Sequence, residues 1–153
     1  MIVIRSAKPE DIKFLLELRN DSKVHRYFWE NAAITEEDHR EWVKKTLNDP
    51  SKKIYIYEQE GRSIGQVRFD ITGDETDINI SLISFLHGRG YGTTMLELAE
   101  KELKKSNPRI GKIKAYIDPE NIASIKLFKK SGYGHEKSVA CKNRPAIKIV
   151  KHI

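Results

Sequence analysis

Apolar residues recur with two different periods along this chain, and the two periods predict which segments form strands and which form helices. Apolar residues at every second position are typical of half-buried strands, whereas apolar residues three or four positions apart are typical of amphipathic helices. Strands are predicted at residues 2–5, 54–57, 64–70, 77–83, 113–117, 133–141 and 146–153. Helices are predicted to begin near Pro9, Thr35, Gly90 and Asn121. The order β-α-α-β-β-β-α-β-α-β-β predicts a single α/β (α+β) domain, in which about four helices flank a mixed, mostly antiparallel sheet of six to seven strands.

Length and composition limit the classes of protein to which this chain can belong. Its 153 residues, of which 39% are hydrophobic and 33% charged, are enough for one domain with a single core. There is no apolar run of the roughly 18–20 residues that span a bilayer, and a charge follows the first residues too soon for a signal peptide. Cys141 is the single cysteine, which excludes an internal disulfide and a cysteine-based metal cluster. We therefore expect a cytoplasmic protein that contacts no membrane and holds no metal.

The net charge of +6 raises the question of nucleic-acid binding. Lysine pairs are scattered along the chain and interleaved with Glu and Asp, and only the C-terminal segment is locally basic, through Lys142, Arg144, Lys148 and Lys151. Scattered pairs of this kind are typical of solvated surfaces, so no nucleic-acid partner is predicted. A positive field serves a small polyanionic ligand equally well.

A glycine-rich segment between a predicted strand and a predicted helix is the most informative chemical feature of the sequence. Gly88, Gly90 and Gly92 follow the strand at 77–83 and lead into the next helix. Glycine lets the backbone approach a phosphate closely, and the unpaired N–H groups of a helix start point towards it. The segment has neither the Gly-Lys-Ser/Thr of an ATP-binding P-loop nor the G-x-G-x-x-G spacing of a dinucleotide site. It predicts an anion site, although a glycine-rich turn without a ligand would have the same sequence.

Two motifs in the right order make the chain resemble the GCN5-related N-acetyltransferase (GNAT) family. The glycine-rich segment is similar to the family's acetyl-CoA pyrophosphate loop, Q/R-x-x-G-x-G/A, with His87 in the place of Gln or Arg. The segment before these glycines is about two residues shorter than is usual in the family. Downstream, Asn121 and Ser124 match the family's Asn-x-x-Ser/Ala helix, although they also fit an N-capped amphipathic helix. The order of predicted elements matches the family along the whole chain.

The resemblance implies a splayed sheet and a cofactor site. The central strands at 77–83 and 113–117 are expected to separate, with acetyl-CoA in the gap between them. Backbone N–H groups of residues 82–84 are expected to hold the acetyl carbonyl and to stabilise the oxyanion that forms during transfer. The implied cofactor-binding residues are Leu82, Ile83, Ser84, His87, Gly88, Arg89, Gly90, Tyr91, Gly92, Thr93, Asn121, Ser124 and Phe128.

Direct acetyl transfer needs a base that takes a proton from the acceptor amine, and it is assisted by an acid that protonates the leaving thiolate. Asp77 is the predicted base, because it begins the strand beside the expected acetyl site; His39 is the second candidate and Glu30 the third. Phe128 stands where many members of the family carry a catalytic tyrosine. The candidate replacements are Tyr133, which we include among the catalytic residues, Tyr91, Tyr116 and water.

In this family the first two helices and the third strand select the acceptor. Here these segments resemble the subgroup of ribosomal-protein and nucleotide-sugar acetyltransferases, and most of all the enzymes that acetylate the 4-amino group of UDP-linked deoxysugars in surface-polysaccharide pathways. An arginine would pair with the diphosphate and an indole would stack on the uracil or the sugar. The implied substrate-binding residues are Arg19, Asn20, Trp29 and Arg68, with Trp42 as a second indole.

Other acceptors and another class of protein fit the same sequence. The rival acceptors are a protein N-terminus or lysine, a small polyamine and an antibiotic. A non-catalytic acetyl-CoA-binding sensor is the alternative from a different class. A homodimer through the C-terminal strand hairpin is also compatible with the sequence.

Overall fold

The computed structural model describes residues 1–21 and 35–153, so Trp29 and Glu30 lie outside the described residues. The described ranges form the strands β1 (Ile2–Ser6), β2 (Lys52–Gln59), β3 (Arg62–Thr72), β4 (Glu75–Leu82), β5 (Lys112–Ile117), β6 (Gly134–Cys141) and β7 (Arg144–His152). They form the helices α1 (Ile12–Asn20), α2 (Glu36–Leu47), α3 (Tyr91–Ser106) and α4 (Ile122–Lys130). This is the predicted mixed fold, with the predicted order of elements.

Local sequence explains where several elements begin and end. The Thr35 side chain accepts a hydrogen bond from the Asp38 N–H at 3.2 Å and caps α2, as the sequence predicts. The last hairpin is tighter than predicted, because Lys142 and Asn143 both adopt positive φ angles, 48° and 64°. Two such residues are enough to reverse an antiparallel pair. Arg144, predicted to lie in the turn, is therefore the first residue of β7.

The seven strands form one sheet in the order β1-β2-β3-β4-β5-β7-β6. Neighbouring strands are antiparallel except β4 and β5, which run parallel. That parallel pairing covers three residue pairs, Glu75–Lys112, Thr76–Ile113 and Asp77–Lys114. Beyond Asp77 the two strands separate, so the expected splay of the central strands is confirmed.

Helices cover the two faces of the sheet and divide the core into two parts. On one face α3 buries Met95, Leu96, Ala99 and Leu103 against the inward residues of β2 to β5, including Tyr57 and Phe69. On the other face Ile12 and Leu15 of α1 and Val43 of α2 pack against Ile54 and Ile56 of β2. The period of 3.6 residues that predicted these helices is thus the period of their buried side chains. Within the described ranges, no helix is both long and apolar enough to cross a membrane.

Candidate active site

A cavity of about 650 Å³ occupies the gap between the separated ends of β4 and β5. The strand ends form its sides, the glycine-rich segment and the first turn of α3 form one end, and α4 closes it from the sheet's α3 face. Ten of the thirteen predicted cofactor residues line it: Leu82, His87, Gly88, Gly90, Tyr91, Gly92, Thr93, Asn121, Ser124 and Phe128. Ile83, Ser84 and Arg89 are not among the lining residues.

The glycine-rich segment leaves the first turn of α3 open to this cavity. Gly88 and Gly90 have φ angles of 76° and 83°, in the region that favours glycine, and Gly90 is the N-cap of α3. A glycine cap has no side chain to occupy the first N–H groups of the helix, and these groups lack partners within the helix. They therefore offer hydrogen-bond donors and a positive dipole end to an anion in the cavity.

Glycine at position 92 is explained by side-chain packing, and not by backbone conformation as at Gly88 and Gly90. A Cβ at this position would lie 2.7 Å from Leu127 Cδ2 of α4, which is closer than carbon atoms approach. The glycine therefore permits close packing of α3 on α4 rather than close approach to a phosphate.

His87 ties the glycine-rich segment to the end of β4. Its Nε2 lies 2.7 Å from the carbonyl oxygen of Leu82. Because a carbonyl oxygen only accepts hydrogen bonds, Nε2 carries the proton in this contact. His87 thus holds the segment in place at the edge of the cavity.

The open edge of β4 presents backbone donors to the gap, though from fewer residues than predicted. The Ile83 N–H donates to the Ile64 carbonyl of β3 at 2.9 Å, and is therefore not available to a ligand. Because backbone groups of an antiparallel strand point alternately to its two sides, the N–H groups of Ile80 and Leu82 point towards the gap. The Ser84 hydroxyl donates to Asp21 Oδ2 at 2.9 Å. Of the neighbours Leu82 and Ile83, Leu82 is the residue that presents its N–H to the gap.

The start of α4 forms the opposite wall. Asn121 Oδ1 accepts a hydrogen bond from the Ser124 N–H at 3.2 Å, so Asn121 is an N-cap and also lines the cavity. Asp118 lines the cavity as well; its carboxylate accepts the Glu120 N–H at 2.8 Å and lies 3.4 Å from Arg144. The capping and ligand-binding interpretations of Asn121 are therefore compatible.

The structure places two of the three candidate bases, Asp77 and His39, outside the lining of the cavity, and the third, Glu30, lies outside the described residues. Asp77 forms the last residue pair between β4 and β5, where the gap closes, and its carboxylate lies 3.5 Å from Lys114 Nζ. His39 lies on α2, buried and stacked on Trp42 with ring centroids 5.7 Å apart. Burial, together with the positive charge of Arg19, lowers the pKa of His39, so the imidazole is neutral at pH 7.

The tyrosines separate into two groups. Tyr133 is buried behind Phe128, with the two rings edge to face at 4.9 Å, and it does not line the cavity. Burial and the neighbouring charge of Glu100 raise its pKa. Tyr91 and Tyr116 do line the cavity. The Tyr91 hydroxyl donates to Gln59 Oε1 at 3.2 Å, whereas Tyr116 lies on the separated part of β5.

An uncharged polar row, which sequence reasoning missed, lines the cavity from β4. Gln66 Nε2 of β3 donates to Asn79 Oδ1 at 2.8 Å and to Ser81 Oγ at 3.3 Å, and both acceptors line the cavity. The available signal was that polar residues alternate in both strands, so that an antiparallel pairing places them on one face. The other lining residues that were missed include Asp118, Ala115, Ile117, Leu86, Met95 and Leu127.

Of the described residues predicted to bind the acceptor, Arg68 lies on the face of the sheet that α1 and α2 cover, and Trp42 lies on α2. The Arg68 guanidinium lies 5.3 Å from the Trp42 ring centroid, and its Nε lies 3.1 Å from Asp70. Trp42 is thus already in contact with His39 and Arg68. Arg19 and Asn20 are the last residues of α1, and Trp29 lies outside the described residues. In the described part of the chain, no cluster of three or more His, Cys, Asp or Glu side chains is arranged to hold a metal ion.

Comparisons with known proteins agree with this geometry. The sequence model of an acetyltransferase (GNAT) domain matches residues 2–134. Acetyltransferase PseH of Campylobacter jejuni is 25% identical over 125 residues, which cover 81% of this chain and 77% of that protein. An uncharacterized protein of Methanocaldococcus jannaschii is 29% identical over 136 residues, and the match covers 86% of this chain but 28% of that longer protein. The structure of spermidine N-acetyltransferase from Vibrio cholerae in complex with CoA and spermine superposes with a TM-score of 0.87 at 16% identity, covering 99% of this chain and 95% of that one.

Proposed function

The chain belongs to the GNAT acetyltransferase family, whose acetyl donor is acetyl-CoA, and from that premise we propose that it acetylates the primary amine of a nucleotide-linked amino sugar. The favoured acceptor is the 4-amino group of a UDP-linked deoxysugar. The observation that carries the donor half of this proposal is the gap between β4 and β5, with open backbone donors along one side and an open helix start at its end. The cytoplasmic location and the homodimer stay predictions.

Different residues of the cavity suit different parts of the acetyl-CoA molecule. The first N–H groups of α3 and the Gly88–Gly90 backbone suit the pyrophosphate. The N–H groups of Ile80 and Leu82 suit the amide carbonyls and the acetyl carbonyl of the donor's arm, which is the pantetheine part of acetyl-CoA. The Leu82 N–H also stabilises the oxyanion that forms during acetyl transfer. Asn121 and Ser124 face the same arm from α4.

The chemical step needs two proton transfers, and we assign one residue to each. The amine of the acceptor loses its proton through water to Asp77, which precedes the lining residue Ile78 at the closed end of the gap, as its nitrogen attacks the thioester carbon. When the carbon–sulfur bond breaks, the electron pair stays on sulfur and the thiolate takes a proton from Tyr116. Tyr116 replaces Tyr133 in this assignment, because Tyr133 is enclosed behind Phe128.

The charge of the cavity wall favours a neutral or anionic acceptor over a polycation. Among the described residues that line the cavity, Asp118 is the single carboxylate, and it is already engaged by the Glu120 N–H and Arg144. A polyamine or a basic peptide needs carboxylates to replace the water around its ammonium groups. Asn79 and Ser81 instead offer the uncharged donors and acceptors that suit sugar hydroxyls.

A thiol-release assay tests the proposed function. The protein is given acetyl-CoA with a UDP-linked 4-amino sugar, the same sugar without its nucleotide, spermidine, or a basic peptide. We expect release with the sugars and the highest kcat/KM with the UDP-linked form. Release with the peptide or with spermidine alone would exclude the sugar assignment. Tight acetyl-CoA binding without release for any amine would identify a sensor instead.

Replacing the candidate bases tests the proton path. Asp77→Asn should lower kcat at neutral pH by about a hundredfold and recover in part at high pH, where more amine is already deprotonated. His39→Ala should leave the shape of the pH profile unchanged, because His39 lies on α2 away from the cavity lining. The measurement is kcat against pH for both variants. If His39→Ala shows the high-pH recovery and Asp77→Asn does not, the assignment of the base is wrong.

A further inference from the structure

Two lysines continue the wall of the cavity across the neighbouring strands. Lys148 of β7 lies directly opposite Tyr116 of β5 on one side and opposite Lys137 of β6 on the other. Residues directly opposite each other in antiparallel strands project from the same face of a sheet. The Lys148 ammonium lies 6.0 Å from the centroid of the Tyr116 ring, and Tyr116 lines the cavity. We call Lys148 and Lys137 the lysine pair.

The other charges on this part of the face are matched. Lys112 and Lys114 lie 3.7 and 3.2 Å from the carboxylate of Glu75, and Lys114 also lies 3.5 Å from Asp77. In the described part of the chain, by contrast, neither member of the lysine pair lies within 4.0 Å of a carboxylate. Lys114 lowers the pKa of the Glu75 carboxyl most, and the charge of Lys148 contributes to that lowering from a greater distance.

The lysine pair therefore places like charges directly opposite each other, an arrangement that destabilises a sheet. Lys148 is only partly exposed, so water screens the repulsion incompletely. An anion bound between the two ammonium groups would remove it.

We propose that the lysine pair binds the diphosphate of the acceptor, an inference that rests on the proposed function. Each phosphate of a nucleotide-linked sugar carries a negative charge, and its oxygens accept charge-assisted hydrogen bonds from ammonium groups. Tyr116, between the cavity and Lys148, offers an aromatic surface to the sugar ring. With its diphosphate bound by the lysine pair on β6 and β7, the acceptor extends past Tyr116, and its amine reaches the gap where acetyl transfer takes place. The donor's pyrophosphate has a separate site at the start of α3, so the two diphosphates do not compete.

Steady-state kinetics of Lys148→Gln, Lys137→Gln and the double variant test this inference. We expect KM for the UDP-linked sugar to rise on the order of tenfold for each lysine, because each removes a charge-assisted contact. The kcat value, KM for the same sugar without its nucleotide, and KM for acetyl-CoA should not change. Lys101→Gln, at an exposed position on α3, is the matched control and should leave all four values unchanged. An unchanged KM for the UDP-linked sugar in the double variant would overturn the inference, and so would an equal rise in KM for acetyl-CoA.

Direct binding separates failure of this inference from failure of the proposed function. UDP is titrated calorimetrically into the protein saturated with CoA, so that the site at α3 is already filled. Binding by the wild type that weakens at least tenfold in the double variant supports the lysine pair, whatever amine is acetylated. Equal binding by both proteins, or binding by neither, overturns it. Thermal unfolding without ligand gives a further readout: Lys137→Gln, which leaves the contact of Lys148 with Tyr116 in place, should be at least as stable as the wild type, because repulsion is relieved, and a clear loss of stability would contradict the inference.

Discussion

Tyr116 and Phe128 face the same cavity from β5 and from α4, and Tyr116 alone of the two carries an ionisable hydroxyl. Burial, together with the negative charge of Asp77, raises the pKa of Tyr116, so its phenol is protonated throughout the neutral range. A protonated phenol is a donor, which is the state that a leaving thiolate requires. The activity that depends on Tyr116 is therefore fully present at neutral pH and is lost as pH rises through the raised pKa.

Tyr116→Phe should lower kcat by about ten- to a hundredfold, a modest loss for an acid because a thiol is a fair leaving group. The kcat–pH profile of this variant should also lack its descending limb at high pH, because the hydroxyl whose ionisation causes that limb has been removed. Tyr133→Phe is the matched control, and it should keep both the limb and most of kcat. A limb that survives in Tyr116→Phe and vanishes in Tyr133→Phe would return the role of acid to Tyr133.

At the scale of elements, the crossing of α3 and α4 depends on Gly92. Its missing side chain lets Leu127 of α4 pack directly against the first turn of α3. Both helices contribute residues to the cavity near this crossing, Tyr91 and Thr93 from α3 and Ser124 from α4. The contact of Leu127 with Gly92 thus contributes to the spacing between the proposed anion-binding start of α3 and the opposite wall.

Gly92→Ala should destabilise the protein by about 1–3 kcal/mol, because the new methyl group pushes Leu127 out of its position. Helix propensity alone predicts the opposite sign, since alanine is favoured over glycine inside a helix. We also expect weaker acetyl-CoA binding, because the two walls move apart. The measurements are denaturant unfolding and calorimetry with acetyl-CoA. Gly111→Ala is the control, since a Cβ there meets no atom within 4 Å, and a loss as large as that of Gly92→Ala would refute the packing argument.

Features that depend on local sequence were predictable from the residues themselves, and the splay of the central strands was predicted through the resemblance to the family. The details of the site that depend on the register and packing of distant elements were not predicted. The periods of apolar residues and the Thr35 cap are local, and the structure agrees with them. The availability of the Ile83 N–H depends on the register of β4 against β3, which places it on the Ile64 carbonyl. Likewise, Tyr133 has the right chemistry, but the packing of its ring behind Phe128 removes it from the cavity.

At the scale of the whole molecule, the sheet consists of two parts that are joined by the parallel pairing of β4 with β5, which we call the seam. Strands β1 to β4 form one part and β5 to β7 the other, and the parallel pairing at the seam covers three residue pairs. Beyond the seam, the edge of β4 that faces away from β3 presents its backbone donors, those of Ile80 and Leu82, to the cavity instead of to a neighbouring strand. A ligand in the gap that engages both walls connects the two parts of the sheet.

Acetyl-CoA should therefore stabilise the folded protein strongly. At a hundred times its dissociation constant, a ligand that binds only the native state adds about 2.7 kcal/mol. For a domain of this size that corresponds to a rise in Tm of about 5–10 °C. Hydrogen exchange measured on the same samples should show slower exchange at the amides of Ile80 and Leu82. A rise in Tm without protection of these two amides would show that the donor binds outside the gap.

The backbone edge of β4 also bears on what happens after the acetyl group has left. Nearly all the groups proposed to bind the donor, namely the α3 start, the glycine-rich segment, Asn121 and Ser124, suit parts of the molecule that acetylated and free coenzyme A share. The spent coenzyme should therefore compete with fresh donor for the same gap. Turnover in the cell should then follow the ratio of acetyl-CoA to free coenzyme A, so that the protein responds to the supply of carbon through its donor site.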